Sequence, residues 1–130
     1  MKKILLITCL LISQSSLAAW TELDFGTFTI TFFVDFDTLQ KKDNVARIWT
    51  KHEYKNPLPT SIPGEFMLSE NFYTEFDCQE RRFRALSTNT FSENQLKGKL
   101  ISAKSTPNPW TFAPPDTIAS LMLNRVCKFK

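Results

Sequence analysis

Cys78 and Cys127 constrain the fold of this chain more than any other pair of residues, because of what precedes them. Met1 to Trp20 reads MKKILLITCLLISQSSLAAW: two lysines, an apolar run from Ile4 to Ile12, then small residues, the three-part pattern of a secretory signal peptide. Ser16-Leu17-Ala18 fits the small-x-small rule for cleavage, so residues 1–18 are expected to be removed and residues 19–130 to form one domain. The apolar run falls short of the roughly 20 residues that span a bilayer, which argues against a membrane span. Cys9 lies inside that run behind Thr8, a poor context for lipidation. Cys78 and Cys127 then remain in an oxidising space, where the one intramolecular pairing open to them is a disulfide. It closes a loop of 49 residues. The chain-entropy model gives about 4 kcal/mol for such a loop, a large part of the roughly 5–15 kcal/mol of a typical domain.

Apolar alternation dominates the chain after the leader. Phe28, Ile30, Phe32 and Val34 fall on one side of an extended segment and Thr27, Thr29, Thr31 and Phe33 on the other. A polar turn at Lys41 to Asn44 leads into a second strand, Val45 to Tyr54. Asn56 to Gly64, NPLPTSIPG, holds three prolines and is expected to be a loop, because proline offers no ladder donor. Further strands are expected over 72–78, 81–86 and 98–104. Near the end the period becomes helical: Ile118, Leu121, Met122 and Arg125 share one face, with Ala119, Leu123, Val126 and Cys127 on its flank. Thr117 or Asp116 can cap this helix, and Pro114-Pro115 stop it extending backwards. The expected fold class is α+β: an antiparallel sheet of about five to six strands, with one C-terminal α-helix packed on it and tethered by the disulfide.

Several function classes find no support. His52 is the only histidine, which leaves a hydrolytic triad or a zinc cluster without partners, and the pattern reads it as a packing residue beside Thr50 and Tyr54. Asp35-Phe36-Asp37 reads as a strand-ending turn rather than a calcium or acid/base pair. Three glycines, at 26, 64 and 98, make no phosphate loop. No metal and no cofactor are expected. Loss of Lys2 and Lys3 lowers the formal net charge from +3 to +1, too little for a nucleic-acid partner.

One polar cluster stands out. EFDCQERRFRAL, Glu75 to Leu86, carries three of the chain's arginines. Alternation places Arg82 and Arg84 on one face and Arg81 with Phe83 on the other, and Lys97 and Lys99 extend the basic surface. These five residues are the candidate partner contacts, since arginine forks onto carboxylates and sulfated glycans. The competing reading is a solvated sheet face whose arginines pair with Glu75, Asp77 and Glu80.

Four segments resemble the surface-adhesin E family of small exported bacterial proteins: FVD at Phe33 to Asp35, VARIWTKHEY at Val45 to Tyr54, FDCQERRFRALSTNTFS at Phe76 to Ser92, and PWTFAPPDTIASLMLNRVC at Pro109 to Cys127. The most specific parts are Asp77 to Arg82 and the ordered succession of tryptophan, double proline, helix and terminal cysteine. The resemblance implies an antiparallel sheet with a disulfide-tethered C-terminal helix. It also implies a protein of the periplasm or cell surface of a Gram-negative bacterium that binds host extracellular-matrix and serum proteins such as vitronectin and laminin.

The resulting expectation is an exported, non-enzymatic binding protein, with a dimer among the open oligomeric states. The rival is a periplasmic inhibitor of a host enzyme such as lysozyme, working through the proline-stiffened loop at Asn56 to Gly64.

Overall fold

Alternating Phe, Val, Ile, Thr and Tyr residues favour pleated, half-buried backbone, and they dominate the strands of this chain. The computed structural model describes residues 18–130; residues 1–17, the bulk of the expected leader with Cys9, lie outside the described residues. The strands are β1 (Thr21–Glu22), β2 (Ile30–Lys42), β3 (Val45–Pro59), β4 (Phe66–Asp77), β5 (Arg82–Phe91), β6 (Leu100–Lys104) and β7 (Thr111–Phe112). They form one antiparallel sheet in the order β1-β2-β3-β4-β5-β6, and β7 returns to pair with β5. Helix α1 (Ile118–Lys128) closes the chain.

One face of the sheet is covered by α1. Phe32 and Val34 of β2, Ala46 and Ile48 of β3 and Phe76 of β4 meet Met122, Leu123 and Val126 of the helix, all at most 7% exposed. Cys78 and Cys127 form the disulfide, with Cα atoms 5.9 Å apart. It ties the end of α1 to the turn that follows β4. Thr117 is the cap: its hydroxyl accepts from the Ser120 amide at 3.2 Å, whereas Asp116 takes a left-handed backbone with φ of 63°.

Strands β2 to β5 run longer than the sequence suggests, although β2 begins only at Ile30, and β6 begins at Leu100 rather than at 98. Asp35-Phe36-Asp37 does not end β2, because the Asp35 side chain accepts from the Asp37 amide and Thr38 bridges to the Trp49 amide. The irregularity between Asp35 and Gln40 is therefore absorbed as a bulge. The proline segment is also not a loop throughout. β3 continues to Pro59, opposite Phe66 of β4, and the turn is confined to the residues after it. The Thr60 amide donates to Glu65 at 3.1 Å, so alternation turns the Pro59 nitrogen to the other side of the strand. There β2 has already ended, and no donor is required.

The helix is rotated relative to the expected face. Leu121 is 41% exposed, while Ser120, Met122, Leu123 and Val126 are buried. Both stripes of α1 are apolar, and the disulfide at Cys127 selects the one that turns inward.

Candidate functional site

A bulge sets which side chains of β5 face outward. Ser87 pairs with Tyr73 and Ala85 with Thr74, so Leu86 is an extra residue. The bulge reverses the alternation, so Arg82, Arg84, Ser87 and Asn89 all lie on the face opposite the helix.

On that outer face the arginines are held by carboxylates. Glu75, 2% exposed, accepts from Arg47 Nε at 2.7 Å on one side and Arg84 Nε at 2.8 Å on the other. Arg82 Nε donates to Asp77 Oδ2 at 3.0 Å. The amide of Glu80, followed by Arg82 and the amide of Gln79, holds the Asp77 carboxyl below the usual carboxylate range. Trp110 lies over both guanidiniums, its ring centroid 4.6 Å from Arg82 Cζ and 4.3 Å from Arg84 Cζ. Further along the face, Trp49 stacks on Tyr73, and Lys51 sits against Trp20 and Phe33.

The five basic candidates do not form one surface. Arg82 and Arg84 share the outer face. Arg81, in the turn with φ of 53°, sends its Nη1 to Asn124 Oδ1 on the helix. Lys97 and Lys99 lie beyond the opposite end of β5, past Phe91, roughly 20 Å or more from Arg84 at about 3.3 Å per residue. Lys99 pairs with Glu65. Lys97 is exposed in the loop between β5 and β6.

That far end of the sheet collects the start of β2, the β3–β4 turn and the β5–β6 loop. It presents large apolar side chains to solvent: Phe28 at 86%, Ile62 at 43%, Phe66 at 53% and Leu100 at 50% exposed. Lys55 lies over the Phe28 ring.

The helix side holds a different feature. Between α1 and the sheet is a cavity of about 320 Å³. Phe32, Phe72, Phe76 and Phe83 line it from the sheet, and Ile118 and Met122 from the helix. His52 stands at its wall between Phe32 and Phe72, with both ring centroids 4.7 Å away. Burial lowers its pKa to about 4. Beside it the Tyr54 hydroxyl donates to Glu70 Oε1. Burial is the main force raising both of those pKa values.

Comparison with known proteins places this architecture. The family model described as Surface-adhesin protein E matches residues 20–128. The chain belongs to the surface-adhesin protein E family. Among solved structures, Haemophilus influenzae protein E matches with a TM-score of 0.59 and 13% identity, covering 88% of this chain and 91% of that one. A second crystal form of the same protein gives 0.59 and 14%, covering 74% and 79%. Protein E from non-typeable Haemophilus influenzae gives 0.60 and 13%, covering 82% and 74%. At such identities the likeness concerns the fold. No curated protein matches the sequence.

Within this surface-adhesin E chain, two features escaped sequence reasoning. Trp110 carries no sequence signal for its place over Arg82 and Arg84, which follows from the pairing of Thr111–Phe112 with β5. The exposed apolar end has no signature of its own in the sequence, since Phe28, Ile62 and Leu100 belong to three segments far apart along the chain and only the fold brings them to one end.

Proposed function

We propose that this chain is an exported, non-enzymatic adhesin of the bacterial periplasm or cell surface that binds host extracellular-matrix or serum proteins. The observation that carries the reading is the family match over residues 20–128. The far end of the sheet supplies suitable chemistry: exposed Phe28, Ile62, Phe66 and Leu100 offer apolar anchors with exposed Lys97 among them, while Lys99 is already paired with Glu65. Arg81, Arg82 and Arg84 are the weaker contacts, because each already has a partner within the chain.

Binding to immobilised vitronectin and laminin at two salt concentrations tests this. Phe66→Ala combined with Lys97→Gln should weaken association at least tenfold, on the scale of lost interface anchors. The triple change of Arg81, Arg82 and Arg84 to Gln should weaken it less. Saturable binding by neither parent nor variant would overturn the reading.

One observation favours inhibition of a host lysozyme as a second reading. The β3–β4 hairpin extends past β2 and carries the exposed Ile62 at its tip. Prolines on either side stiffen it, which reduces the entropy lost on insertion into a cleft. A lysozyme assay with the parent and with a variant lacking Pro57 to Pro63 decides: inhibition by the parent alone supports this reading, and none by either removes it.

A further inference from the structure

Thr50, Thr74, Ala85 and Ala119 are small side chains around the seam between the sheet and the first turns of α1, and the space left there is the 320 Å³ cavity. The surrounding walls are Phe32, Phe72, Phe76, Phe83 and Met122. Aromatic-lined spaces of this kind take up small, largely apolar molecules. The Thr50 and Thr74 hydroxyls bond to each other at 3.0 Å, so the floor makes little polar demand. Arg84 borders the cavity, yet its guanidinium is held by Glu75 and Trp110 on the outer face and brings no free cation to it.

Asn108 and Thr111 also line the cavity, and Asn108 Oδ1 already accepts from Lys104 Nζ. His52 is the polar side chain seated among the aromatic walls. Tyr54 has one hydroxyl proton, and it goes to Glu70 Oε1. The 3.4 Å contact between His52 Nδ1 and the Tyr54 oxygen must then run from Nδ1–H to oxygen. Burial keeps the ring neutral near pH 7. A neutral imidazole protonated on Nδ1 has Nε2 as an acceptor, and His52 lines the cavity whereas Tyr54 does not.

We infer that this cavity is a binding site for a neutral, largely apolar small molecule bearing one hydrogen-bond donor, gripped by the aromatic walls and oriented by His52 Nε2. The site is on the helix side and stands apart from the loop-end contacts, so it does not depend on adhesion.

Toluene and 4-methylphenol differ by one hydroxyl and serve as probes. Titrated into isotope-labelled protein, both should shift the amide resonances around Thr50, Thr74, Ala85 and Ala119. 4-Methylphenol should bind roughly three- to tenfold more tightly, the effect of one hydrogen bond. His52→Phe should bring the two probes within about twofold of each other. Ala119→Leu and Ala85→Leu each fill the space, and either one, shown folded by its amide spectrum, should weaken both probes more than about tenfold. Absence of saturable shifts in the parent would make the cavity a mere packing gap. Undiminished binding in the filled variants would place the probes elsewhere. Equal affinity for the two probes in the parent would overturn the role of His52.

Discussion

Arg84 lies beneath Trp110 with its Cζ 4.3 Å from the ring centroid, while its Nε donates to the buried carboxylate of Glu75. The arginine is thus covered from above and gripped from the side. A double-mutant cycle with Trp110→Ala and Arg84→Gln should return a coupling of about 0.5–1 kcal/mol in urea unfolding, the range for a partly solvated cation–π pair.

Removal of the carboxylate should cost more than removal of either arginine. Glu75→Gln removes the charge shared by Arg47 and Arg84 and turns one of the two acceptor oxygens into an NH2 donor, so one guanidinium loses its acceptor. A loss of about 1–3 kcal/mol is expected by urea unfolding, since both arginines keep some access to water. A change below about half a kcal/mol would show that the two pairs add nothing measurable to stability.

The helix rotation gives a contrast between adjacent residues. Leu123→Ala should destabilise by about 2–5 kcal/mol, because Leu123 is 1% exposed against the sheet. Leu121→Ala should cost about 1 kcal/mol at most, since Leu121 is 41% exposed. Thermal or urea melts of the two variants side by side provide the measurement.

The disulfide should be complete and energetically large. Alkylation of the purified protein without reductant is expected to label neither Cys78 nor Cys127 on intact-mass analysis. Reduction should lower stability by about 2–5 kcal/mol. The helix has few other long-range ties, apart from its apolar stripe and the Lys41, Arg81 and Arg125–Asp24 contacts.

Acid should weaken the fold through His52. Its folded pKa of about 4 is below the ordinary 6.5, so the unfolded chain binds the extra proton first. The stability that comes from keeping the ring neutral is full above pH 6.5 and is lost as pH falls from 6.5 through about 4. The side chain is 24% exposed, and the loss is at most about 3 kcal/mol. Glu70 works in the opposite direction: its raised pKa lets the folded state take up a proton more readily, which offsets part of the loss. Urea midpoints between pH 7 and pH 4 should therefore fall less steeply for His52→Phe than for the parent, and more steeply for Glu70→Gln.

Much of this architecture was legible in the sequence. Alternation at Ile30 to Val34 and Val45 to Tyr54 marks strands because each has a buried and an open face, and the two cysteines outside the expected leader admit one intramolecular bridge. The hidden parts depend on lateral neighbours. Pro59 fits a strand because β2 ends before reaching it, which no local pattern reveals. Leu121 and Leu123 are equally apolar, and the sheet together with Cys127 decides between them. The split between Arg84 and Lys97 follows from strand length, since β5 runs on to Phe91 and carries the lysines beyond its far end.

The two borders of the sheet bear on how the chain survives among unfolded neighbours. β1 and β7 have two residues each and β6 five. The long uncovered flank of β2 is broken by its bulge and finishes in Lys41-Lys42. Flat, unpaired borders invite edge-to-edge aggregation, and brevity, bulges and lysines are what discourage it. A strand added at either border would meet only short or interrupted ladders here, which leaves side chains rather than borrowed backbone hydrogen bonds as the means of contact.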